Sequence, residues 1–106
     1  MNKTDKQLRR LCVNHWKRMK KLTIEQIRNG EESPASDNCA FCEVYSHRFC
    51  SGCPIFKHTN RGGCVGTPYV KATALYRGLE NGTHSNLALF REVVQDEIDF
   101  LESLEV

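Results

Sequence analysis

SNLALFREVVQDEIDFLESL, residues 85–104, decides the fold class. Leu87, Phe90, Val94, Ile98, Leu101 and Leu104 recur at steps of three and four, and Val93 widens the row. That period places apolar side chains on one face of an α-helix. Acidic residues, among them Glu92, Asp96 and Asp99, cover the other side.

A matching stripe stands at the opposite end of the chain. From Asp5 to Leu22, the residues Leu8, Leu11, Cys12, His15, Met19 and Leu22 repeat at the same spacing, and Lys and Arg occupy the remaining positions. Thr4 is a suitable N-cap, with Gln7 three residues on as the return partner of a capping box. Thr23 opens a short helix over Ile24 to Arg28, which Asn29-Gly30 closes. Residues 31–38 read as a polar loop. A further helix is predicted from Tyr69 to Leu79, after Pro68, with a turn at Asn81-Gly82. No internal repeat and no low-complexity segment is present.

Between these helices lies CAFCEVYSHRFCSGCP, residues 39–54, in which Cys39, Cys42, Cys50 and Cys53 form two C-x-x-C pairs separated by seven residues. Cys64 follows after ten intervening residues. With Gly52, Gly62, Gly63, Gly66 and Pro54 in the same region, short turns and at most a small hairpin are expected. At 106 residues the chain has room for one domain. Cores of this size often lean on a metal or on disulfides. The sequence therefore predicts a mainly α, single domain over residues 1–106: a basic helical segment at 1–30, a cysteine cluster at 39–66 and an acidic helix at 84–105. The two long amphipathic helices would pack antiparallel around a metal-bound cysteine-loop module. The same stripes could instead form a homodimer seam, so both a monomer and a homodimer are compatible.

No stretch approaches the roughly 18 apolar residues of a membrane span, and no apolar run follows the charges of MNKTDKQLRR. A cytoplasmic location is expected, and in a reducing compartment six cysteines point to metal rather than to disulfides. A C-x-x-C turn offers two thiolates from one tight loop, and two such turns complete the tetrahedron that zinc requires. Five clustered sulfurs exceed one tetrahedron, so four of Cys39, Cys42, Cys50, Cys53 and Cys64 would ligate. Spacing does not choose the fourth ligand. His47 and His58, each five residues beyond a cysteine, are the less favoured replacements. Cys12, on the apolar face of the first helix, reads as a small buried hydrophobe. Structural zinc leads; an iron–sulfur cluster, prompted by C-x-x-C-P at 50–54, comes second, and a redox dithiol third.

The net charge of +2 conceals an asymmetry. Residues 1–30 hold nine Lys and Arg against Asp5 and Glu25, whereas residues 80–106 hold Arg91 against seven carboxylates. Such polarity marks a basic surface for nucleic acid or an acidic partner, unless the two ends lie side by side and compensate each other. Arg9, Arg10, Trp16, Lys17, Arg18, Lys20 and Lys21 are the candidate contact residues. The plainer reading places Trp16 in the core and His15 as a satisfied helix residue.

The cysteine pattern, with Gly63-Cys64 and Gly66-Thr67-Pro68-Tyr69, His15-Trp16 upstream and Phe100-Leu101-Glu102-Ser103-Leu104 at the end, resembles a family of small, mostly uncharacterised proteins of tailed bacteriophages and prophages. That resemblance implies a metal-bound protein made in a bacterial host and no particular activity. No P-loop, nucleophile elbow, zincin or deaminase motif is present, so no enzyme is expected. The ranked expectation is a non-catalytic module that docks on a host or phage protein, then a nucleic-acid binder using the basic helix, then an iron–sulfur redox or sensor protein.

Overall fold

The computed structural model describes residues 4–32, 40–45, 53, 55 and 67–104, with the backbone alone at 42–44. All regular structure among the described residues is helical. Among the described residues the helices with described bounds are, in order, α1 (Asp5–Lys20), α2 (Ile24–Arg28), α3 (Ala40–Tyr45), α4 (Pro68–Asn81) and α5 (Leu87–Glu102).

The helix ends follow from local chemistry. The Thr4 hydroxyl accepts from the Gln7 amide at 3.2 Å, and the Gln7 side chain accepts from the Thr4 amide at 2.8 Å, completing the expected capping box. Thr23 and Gln26 build a second box at the start of α2, which explains why α1 stops at Lys20 rather than at Leu22. An exchange of this kind satisfies two amides that a helix start leaves open. Gly30, at φ 71°, and Gly82, at φ 81°, follow α2 and α4 in the left-handed region that glycine enters without a Cβ clash. Thr67 caps α4 and Pro68 occupies its first turn.

Helix α4 runs two residues past the predicted end, to Asn81, and stops where Gly82 caps it; Gly78 lies inside it. A Cβ at Gly78 would collide with the His84 ring, so glycine makes room for that contact. The imidazole spans the gap: its Nδ1 accepts from the Asn86 amide at 3.1 Å, so the tautomer assigned by this contact has Nε2 donating to the Leu75 carbonyl at 3.0 Å.

Helices α1 and α5 lie antiparallel, as the sequence predicts. Arg9 reaches the carbonyl of Leu104, Lys20 reaches the side chain of Gln95, and Arg91 reaches the carbonyl of Leu22, so ascending positions on α1 meet descending positions on α5. Their apolar stripes meet inside one chain. Leu8, Cys12, Trp16 and Met19 join Phe90, Val94, Ile98 and Leu101 in a single buried cluster. Helix α4 covers a second side of α5, α2 packs on α4, and α3 packs on α1.

Three details depart from the sequence reading. Leu11, expected on the buried face of α1, is 43% exposed, while Val13 and Trp16 are buried. With α5 on one side and α3 on another, the buried arc centres on residues 8, 12, 16 and 19 and leaves Leu11 just past its edge. The first C-x-x-C pair lies partly on a helix rather than in an open turn, because α3 directs Phe41 into the core, fully buried. Glu97, expected with the other carboxylates on the solvated side of α5, is buried at 3% exposure.

Glu32 ties the end of the α2 segment to two helices. Its carboxylate lies 2.9 Å from Arg18 Nε and 3.5 Å from His15 Nδ1, and its backbone carbonyl accepts from the Tyr76 hydroxyl. Burial, followed by the negative charges of Glu80 and Glu32, raises the Tyr76 pKa above its ordinary 10.0. A phenol harder to ionise when folded contributes stability that is complete below the unfolded pKa and is lost as pH rises through the folded one. Tyr76→Phe should therefore reduce the decline in stability above about pH 10, while costing about 1 kcal/mol at neutral pH through the missing hydrogen bond. Urea unfolding of both proteins at pH 8 and 11 measures this. Equal alkaline losses in the two would contradict it.

Candidate partner-binding face

Lys6, Arg10, Asn14, Lys17 and Lys21 recur along α1 at steps of four, four, three and four, and all five are exposed. Residues so spaced share one stripe of a helix. The buried arc turns the opposite way, held by α5 and α3, so this stripe faces solvent for its whole length. Beside it runs an open groove of about 630 Å3 lined by Lys6, Arg9, Arg10, Val13, Asn14 and Lys17, with Glu102 of α5 on the far rim. Four cations thus share the groove with one carboxylate.

Arg9 has two roles. Its Nη1 donates to the Leu104 carbonyl at 2.8 Å and to that of Glu102 at 3.5 Å, occupying carbonyls that the end of α5 leaves without intrahelical partners. Those acceptors are neutral, so the guanidinium charge remains in the groove wall.

The seven contact residues named from the sequence separate into distinct environments. Arg10, Lys17 and Lys21 are exposed on the stripe. Arg9 and Lys20 are half-buried against α5, with Lys20 Nζ 2.6 Å from the Gln95 side chain. Arg18 is exposed but paired with Glu32. Trp16 is 3% exposed, its indole edge-to-face with Tyr69 at 5.9 Å and with His15 at 5.7 Å, so burial leaves it no surface to offer a partner. Lys6 and Asn14 were not singled out from the sequence. The three- and four-residue step that found the apolar stripe would have found them on the polar side.

Of the cysteine cluster, Cys53 is buried at 6% exposure and belongs to the main core, and Cys42 lies on the backbone of α3. Cys39, Cys50, Cys64, His47 and His58 lie outside the described residues. Among the described residues no group of His, Cys, Asp and Glu is placed to hold a metal, and no helix is long and apolar enough to cross a membrane. Cys12 is buried at 1% exposure on α1, the position expected of a small hydrophobe.

Comparison with protein-family models, with curated proteins and with solved structures finds no match.

Proposed function

We propose that this chain is a small, non-catalytic binding module whose working surface is the basic face of α1, and that nucleic acid is the partner this face suits best. One observation carries the reading: Lys6, Arg10, Lys17 and Lys21 stand on a single exposed stripe, and Arg9 joins Lys6, Arg10 and Lys17 in lining the groove beside it. Lysine-rich surfaces of this kind attract phosphates, whereas the centres of protein interfaces are depleted in lysine and anchored by aromatic residues. Here the aromatic candidate, Trp16, lies in the core.

A structural zinc ion, held by four of Cys39, Cys42, Cys50, Cys53 and Cys64, would brace the module. The C-x-x-C spacing supports this, and so does Cys53, whose burial in the core suits a closed site. Bound there, the metal would neutralise the thiolates and join the cysteine segment to the helices. The resemblance to phage proteins supports a bacterial host cytoplasm as the place of action.

Docking on a host or phage protein is the second reading. It is favoured by Leu11, 43% exposed on α1, which supplies one apolar contact near the charges.

Retention on immobilised heparin, a sulfated polyanion, tests the face itself. Arg10→Glu with Lys17→Glu should move elution to clearly lower salt, while Glu92→Gln with Asp96→Gln on α5 should change it little. Unchanged elution of the α1 variant would place the binding surface elsewhere. A Leu11→Ser variant that lost a partner protein while keeping heparin retention would favour the second reading.

A further inference from the structure

We infer that the exposed face of α1 binds double-stranded DNA by lying in the major groove, an assignment that rests on the basic-face reading above. The stripe from Lys6 to Lys21 covers fifteen residue-to-residue steps, about 22 Å of helix at 1.5 Å per step. Four exposed cations along that length match a phosphate-lined groove in charge. A helix with side chains is about 10–12 Å across, and the B-form major groove is about 12 Å wide. Asn14 stands between Arg10 and Lys17 on the same stripe, so the middle of the face carries an amide able both to donate and to accept hydrogen bonds.

Other polyanions fit less well. Single strands are held by stacking bases on exposed aromatic rings. On this helix the aromatic rings are His15 and Trp16, and both are buried. Duplex RNA has a deep, narrow major groove that a helix does not enter. An acidic protein surface would leave the stripe without the apolar anchors that fix protein interfaces, since the exposed large hydrophobics among the described residues are Leu11 and Val70, the latter on α4. Orientation follows from charge. Glu92, Asp96 and Asp99 are exposed on α5 and repel phosphate, so the duplex approaches α1 from the side away from them.

Fluorescence anisotropy with the metal-loaded full chain tests this, using a 20-base-pair DNA duplex of mixed sequence, its single strand, the RNA duplex of the same sequence, and poly-glutamate as competitor. Four phosphate contacts give a salt slope of about −3.6, so affinity for the DNA duplex should fall about 150-fold between 50 and 200 mM salt. The single strand and the RNA duplex should bind at least about tenfold more weakly, as expected when the helix cannot seat in a groove. Lys6→Gln, Arg10→Gln, Lys17→Gln and Lys21→Gln together should remove most of the slope, and all four sites are exposed, so thermal unfolding should confirm an intact fold. Equal binding of the single strand or the RNA duplex, or displacement by poly-glutamate at equal charge, would overturn the DNA assignment and leave the basic-face reading standing. No binding of any polyanion at 50 mM salt would overturn both.

Discussion

Phe90→Ala is expected to destabilise the protein by about 3–5 kcal/mol, and Leu11→Ala by no more than about 0.5 kcal/mol. Both residues are large apolar side chains on amphipathic helices, and composition alone would rank them together. Phe90 is fully buried on α5, and its ring lies 6.2 Å from that of Tyr76 on α4, so it joins two helices of the core. Truncation removes that burial and leaves a cavity that packed helices fill only in part. Leu11 loses little, because nearly half of it already faces water. For a chain of this size a loss of 3 kcal/mol lowers Tm by more than about 10 °C. Thermal unfolding of the two variants checks the contrast, and equal shifts would mean that the α1 stripe is rotated from the position described.

The second large effect concerns the proposed zinc. Structural zinc in small domains contributes on the order of 10–16 kcal/mol at neutral pH, comparable with or larger than the whole stability of such a chain. Chelation, or Cys42→Ser, should therefore cause loss of cooperative thermal unfolding. Helix α3 carries Cys42 and inserts Phe41 into the core against α1, so the loss should spread beyond the cysteine segment. Elemental analysis should find about one zinc per chain. A metal-free chain with unchanged Tm would remove zinc from the account, and a brown protein with stoichiometric iron and sulfide would replace it with a cluster. With zinc bound as proposed, five sulfurs would compete for four positions, so Cys50→Ser and Cys64→Ser, measured singly for metal content, should differ.

The long helices were legible in the sequence because their signals are local. The stripes of α1 and α5, the Thr4/Gln7 box and the Asn29-Gly30 stop each lie within a few residues of one another, and the structure places all of them. What needed coordinates was non-local. Whether Leu11 or Trp16 turns inward depends on which helices flank α1, and the apolar spacing tolerates either choice. Glu32 binds Arg18 fourteen positions away and Tyr76 forty-four away, a relation that no period in the sequence encodes. The compensation between the basic and acidic ends, one of the two readings of the charge asymmetry, is mainly indirect: α1 and α5 do lie side by side, yet Arg9, Lys20 and Arg91 reach neutral acceptors. The cations left over define the candidate face. They were visible as a strip between residues 9 and 21, and the helix sorts that strip into an exposed stripe, a paired Arg18 and a buried Trp16.

Amide chemical-shift mapping during titration with a short DNA duplex tests the central claim most directly, because it reports the contact face without altering any residue. The expected perturbations fall on the exposed side of α1, at Lys6, Arg10, Asn14, Lys17 and Lys21, with Arg9 and Glu102 at the groove rim and little change along Glu92, Asp96 and Asp99. Perturbations centred on α4 or on the acidic side of α5, with α1 silent, would contradict it.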